Sequence, residues 1–210
     1  MKDRAGIYIV IEGLDRMGKT TIKELLYNYI KKLGFEINCA YSDRIAGNRV
    51  PSMIGNYPDE IAYMFYWQAI RFSELTQILP VLNSGGVVLG DRNFITNLTY
   101  NLWTDLDFDF MLAMEKFYYP LCIKPDLTII LHAPYELFQS RDDGDTRLSH
   151  EEFDSIVSNY RIWSNRLVSD GYDVCWIDSS GPPEETFIKI LEKVLLLFEL
   201  CTDEEKTIPK

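Results

Sequence analysis

The segment Gly13-Leu14-Asp15-Arg16-Met17-Gly18-Lys19-Thr20 constrains this chain more than any other, because it satisfies G-x-x-x-x-G-K-[ST] between an apolar run and a helical one. Its two glycines let backbone N–H groups turn inward around phosphate oxygens, and a helix starting at the lysine aims its positive end at the same point. In such a loop Lys19 reaches the transferring phosphate and Thr20 offers a hydroxyl to Mg²⁺. The run before it, residues 6–12, is rich in isoleucine and valine and predicts a strand buried on both faces of a parallel sheet. From residue 20 to 33 apolar positions recur at helical spacing, Lys31 and Lys32 occupy the last turn, and Gly34 supplies the stop.

Downstream the alternation continues. Residues 35–41 read as a strand, 58–84 as one long helix that Pro80 kinks, and 86–89 as a strand. They are followed by a strand over 127–131, a helix over 150–169, a strand over 174–177 and an amphipathic helix over 183–200. Strands alternating with helices imply an α/β fold with a parallel sheet covered on both faces. The expectation is a P-loop NTPase-like three-layer sandwich with a five-stranded sheet. It forms one domain over residues 1–201, with a polar tail over 202–210. Residues 141–148, RDDGDTRL, form a charged island that is either a surface turn or a mobile lid.

A formal net charge of -11 excludes a sequence-independent grip on nucleic acid or on an anionic membrane, so any phosphate site must be local. The N-terminal apolar run is too short to span a bilayer and lacks a cleavage pattern, so a cytoplasmic location is expected. Cys39, Cys122, Cys175 and Cys201 form no C-x-x-C pair, and His132 and His150 are the only histidines. Zinc, redox and histidine-triad chemistry therefore have little to work with.

With Glu12 before it and Asp15 and Arg16 inside it, the stretch IEGLDRMGKTT closely resembles the phosphate loop of thymidylate kinases, a family of P-loop nucleoside monophosphate kinases. The resemblance implies that residues 13–21, from Gly13 to Thr21, bind ATP, and that Asp15 accepts the sugar 3′-hydroxyl of the acceptor nucleotide. Electrostatics agrees, since a carboxylate facing bound polyphosphate would be repelled. Arg16 resembles the loop arginine of family members that stabilise the transferring phosphoryl group in cis, although a solvated surface arginine would look the same. Asp91-Arg92 resembles the family's D-R segment after the third strand, which implies Asp91 holding Mg²⁺ through water and Arg92 forking onto the acceptor phosphate.

Softer matches follow in the right order. Tyr41 and Arg44 lie where the family carries an aromatic and a phosphate-binding arginine, without the proline between them. Trp67 and Arg71, one helical turn apart, resemble the aromatic that stacks on thymine and the arginine that bonds its carbonyl. Taken alone, the pair reads equally as a core tryptophan beside a surface arginine. Asn97 and Tyr100 complete the implied acceptor site, Arg141 and Arg147 are lid arginines, and Ser180 sits in the implied adenine loop. Asn93, Thr96 and Thr99 depart from the family pattern, which keeps dUMP or a 5-substituted analogue open beside dTMP as acceptor. The resemblance further implies ATP as donor, Mg²⁺ and a homodimer. Two other readings stay open: a deoxynucleoside kinase with Glu12 or Asp43 as base, and a catalytically inactive nucleotide-binding switch.

Overall fold

Ile7–Glu12 forms strand β1, and all six of its residues are buried. The structure, a computed structural model, describes residues 5–41, 59–99, 106–141 and 148–205. Arg44, Tyr100 and Arg147 lie outside the described residues, as does the side chain of Tyr41. The other strands are β2 (Ile37–Tyr41), β3 (Val87–Asp91), β4 (Leu127–His132) and β5 (Val174–Asp178), all parallel in the order β2-β3-β1-β4-β5. β1 is central, which is why it alternates between two apolar surroundings. Tyr8 and Val10 pack with Ile78, Leu82 and Val88 on one face, while Ile9 and Ile11 face Ile22 and Leu26 on the other. Burying each such side chain stabilises the fold by roughly 1.5–3 kcal/mol.

The helices are α1 (Lys19–Lys32), α2 (Asp59–Ser73), α3 (Leu79–Asn83), α4 (Phe94–Thr99), α5 (Phe108–Tyr118), α6 (Tyr135–Ser140), α7 (His150–Ser169) and α8 (Pro183–Glu205). α1 ends as expected, with Leu33 as its C-cap and Gly34 at φ +90. α7 begins at the residue predicted because Ser149 and Glu152 form a capping box. α8 continues beyond residue 200 to Glu205. Among the described residues no helix is long and apolar enough to cross a membrane.

The long helix expected over 58–84 is interrupted. Glu74–Ile78 forms a π-helical turn between α2 and α3, in which the Leu79 N–H donates to the Glu74 carbonyl. Pro80 explains the widening: it has no N–H to give the carbonyl of Thr76, and its ring would crowd that carbonyl in a regular helix. Three short helices were not expected. α5 still carries a readable start, since the Asp107 side chain accepts from the Phe110 N–H at 2.9 Å. β3 also runs two residues past the predicted Leu89, bringing Asp91 into register with Ile11 at the carboxyl edge of the sheet.

Candidate active site

The strand order turns at β1, so the carboxyl ends of β3, β1 and β4 open a crevice of the kind in which α/β sheets hold ligands. The loop after β1 fills the floor of that crevice. Gly13 adopts φ +126, and a Cβ there would stand 2.3 Å from the Leu131 carbonyl oxygen of β4. Gly18, at φ +86, caps α1 without any side-chain hydrogen bond to the helix start. The N-cap therefore offers the first-turn N–H groups no side-chain acceptor among the described residues, which is the condition for binding an anion. Leu14 and Met17 anchor the loop in the core, whereas Thr20 and Thr21 stand exposed on the first turn of α1.

Lys19 folds back over this loop, its Nζ donating to the Gly13 carbonyl at 3.1 Å and the Leu14 carbonyl at 2.7 Å. Burial, and then the positive charge of Arg92, push its pKa down to about 8 against the pull of Asp15, Asp91 and Glu12. Arg16 holds φ +63, unusual for a residue with a side chain. Its guanidinium lies 4.9 Å above the Phe138 ring, and its carbonyl accepts from Arg141 Nη1 at 3.0 Å.

On the other side of the loop Asp15 pairs with Arg92, itself at φ +64 and 95% shielded from solvent. Burial raises the Asp15 pKa, but Arg92 and then Lys19 outweigh it and hold the carboxyl below its ordinary value. Arg92 also donates to Thr96 Oγ1 at 3.3 Å. Asp91 pairs with Lys23, a buried lysine one turn after Lys19 on α1. Sequence reasoning passed over Lys23, although its i+4 spacing from Lys19 places it on the face that meets β3. Glu12 is a buried hub that accepts from Asn93 N at 2.8 Å, Thr96 Oγ1 at 2.8 Å and Tyr160 OH at 2.9 Å. Burial raises its pKa, and Arg92 with these donors works against that. The position of Tyr160 in the hub had no signal in the sequence.

Trp67 and Arg71 do share one face of α2, and α2 packs against α4 and α5. Trp67 is fully buried, its ring stacked on Tyr118 at 5.4 Å and edge-on to Tyr63 at 6.3 Å. Arg71 is ion-paired with Glu74. On α4 the Nδ2 of Asn97 is buried with no hydrogen-bond acceptor among the described residues. Beyond the loop, a cavity of about 370 Å³ is lined by Arg16, Gly18, Thr21, Arg141, Ser179 and Gly181, among others. Arg141 spans its rim, donating to Ser179 O at 2.8 Å. The hydroxyl of Ser180 turns back to Asp178, while its two neighbours line the cavity.

A phosphate cradle with a donor-sized cavity on one flank and a carboxylate–guanidinium pair on the other defines a phosphotransferase of the nucleoside monophosphate kinase class. The sequence model described as Thymidylate kinase matches residues 11–190, and the chain belongs to that family. It is similar to a probable thymidylate kinase of Thermococcus gammatolerans, 30% identical over 176 residues, which are 77% of this chain and 82% of that one. A probable thymidylate kinase of Staphylothermus marinus is 27% identical over 93% of this chain and 98% of its own length. A thymidylate kinase of Dictyostelium discoideum is 28% identical over 81% of this chain and 78% of its own.

Proposed function

We propose that this protein is a dTMP kinase, transferring the γ-phosphoryl group of ATP to the 5′-phosphate of dTMP to give dTDP and ADP. The observation that carries the reading is the Asp15–Arg92 pair beside the phosphate cradle, in a chain of the thymidylate kinase family. ATP lies along residues 13–21, its phosphates on the loop N–H groups and Lys19, its base in the cavity bounded by Arg141 and the 179–181 turn. Arg92, with Arg44, holds the acceptor phosphate in line, and Asp15 takes the sugar 3′-hydroxyl. Arg71 and Asn97, with Tyr41 and Tyr100, line the base side, and Trp67 reaches the base by turning out of its stack on Tyr118.

An ionised phosphate oxygen is already a nucleophile, so the step needs no protein base and no covalent intermediate. Lys19 and Arg16 balance the charge that spreads over the transferring group. Arg16 reaches it by leaving the Phe138 ring. The donor set fits Mg²⁺, with the exposed Thr20 hydroxyl and, through water, the Asp91 carboxylate as its oxygen ligands. Held by these two residues, Mg²⁺ would supply positive charge against the polyphosphate of ATP. Closure of residues 141–148 over the site excludes water and suppresses idle ATP hydrolysis.

ADP production measured across dTMP, dUMP, dCMP, dGMP and thymidine tests the reading, and dTMP is expected to give the highest kcat/KM. Phosphorylation of thymidine with dTMP inert would replace it with a deoxynucleoside kinase, and ATP binding without acceptor-dependent ADP release would make the protein a switch. The proposal includes a cytoplasmic homodimer. The exposed stripe Ile61, Met64, Phe65, Phe72 and Leu75 along the α2–α3 helix suits a second copy of the chain. Sedimentation at micromolar concentration is expected to show a dimer that Phe65→Glu with Phe72→Glu converts to monomer.

A further inference from the structure

Glu74 is a carboxylate with no part in the chemistry above, yet it is 2% exposed. Burying an anion costs free energy that an apolar side chain would not. Its two oxygens are used separately: Oε2 pairs with Arg71 Nη1, and Oε1 accepts the Ile123 backbone N–H at 2.9 Å. Ile123 lies in the segment leading into β4, so one carboxylate ties the α2 arginine to the sheet side of the fold. Trp67, Arg71 and Glu74 recur at i, i+4 and i+7, on one face. Glu74 also opens the π-helical turn, a local widening that recurs at functional positions in helices.

We propose that Glu74 is a positioning residue for acceptor recognition: by holding Arg71 against the Ile123 N–H, it sets the direction in which the guanidinium presents its donors to the carbonyl edge of the pyrimidine. The inference rests on the reading of Arg71 as a base contact. A guanidinium so held offers only N–H donors, which suits the 4-carbonyl of thymine or uracil and opposes the 4-amino group of cytosine. Among the described residues, the charged or titratable groups coupled to Glu74 are Arg71, Cys122 and Tyr172. Burial pushes Tyr172 up to about 12 and Cys122 higher still, so both are neutral near pH 7. Burial likewise pushes Glu74 up to about 7, against the Ile123 N–H and Arg71. Within this cluster, Glu74 is the group that changes charge near neutrality.

The test compares Glu74→Gln and Arg71→Ala with the full-length wild type. Glu74→Gln is expected to raise the dTMP KM roughly tenfold, with kcat changing less than KM and the ATP KM unmoved. It also narrows the preference for dTMP over dCMP. In the wild type the dTMP KM is expected to fall as pH rises through about 7, as the carboxylate ionises and grips Arg71, by more than the second ionisation of the substrate phosphate accounts for, and in Glu74→Gln only that substrate-borne part remains. Should Arg71→Ala leave the dTMP KM unchanged, the base contact itself is wrong. Should Arg71→Ala raise it while Glu74→Gln does not, only the role of Glu74 falls. Equal losses in both KM values and kcat with a lower Tm would make Glu74 structural and overturn the proposal. If Glu74→Gln does not fold, the wild-type pH profile decides, a dTMP KM that between pH 6 and 8 follows only the ionisation of the substrate phosphate overturning it.

Discussion

Arg16→Ala is expected to lower kcat about a thousandfold while the Kd for ATP changes by less than about threefold. The asymmetry follows from where the side chain rests. In the structure the guanidinium lies over Phe138, and the Arg16 backbone carbonyl anchors Arg141. Ground-state binding is therefore carried by loop N–H groups that the substitution leaves in place. An interaction made only as charge spreads over the transferring phosphoryl group acts on turnover and not on affinity. The backbone conformation supplies a control. Arg16 holds φ +63, a region that costs alanine about as much as arginine and glycine almost nothing. Arg16→Gly is expected to lose the same turnover without the strain. Steady-state kinetics with calorimetric binding separates the quantities, and an unchanged kcat in both variants would remove Arg16 from the reaction.

Gly13→Ala is expected to weaken ATP binding more than a hundredfold and to lower Tm, whereas Gly18→Ala, in the same motif, lowers Tm far less. Both glycines have positive φ, so both substitutions incur backbone strain of about 1–3 kcal/mol. They differ in what the new methyl meets. At position 18 nothing lies within 4 Å, but at position 13 the Cβ stands 2.3 Å from the Leu131 carbonyl oxygen. That oxygen belongs to the buried strand β4, which pairs with β1 and β5 and cannot withdraw without disturbing the sheet. The loop must yield instead, and its N–H groups leave the geometry that surrounds phosphate. Melting curves and titration with a non-hydrolysable ATP analogue check the pair. Equal effects at the two positions would show that conformation alone, and not contact with β4, limits the loop.

Which parts of this fold were legible in advance depended on how local their causes are. The β1–loop–α1 unit was readable because burial, glycine conformation and helix start all act within about 28 residues of chain. The start of α7 was readable to the residue because Ser149 and Glu152 satisfy each other three positions apart. α4, α5 and α6 were missed, since short helices owe their stability to what they pack against and not to a long period. The π turn could be foreseen only as a kink, because Pro80 dictates that a hydrogen bond is lost but not how the chain replaces it. At the site, motif residues were visible, but their partners were not. Lys23 for Asp91, Tyr160 for Glu12 and Glu74 for Arg71 come from pairing across elements or from a burial that spacing does not record.

The pairing of Lys23 with Asp91 has a bearing on the order in which the reactants assemble. A carboxylate whose charge is met by a resident ammonium is a poor trap for a lone divalent ion, and resting protein should not accumulate one. Divalent metal would then enter already wrapped in nucleotide oxygens.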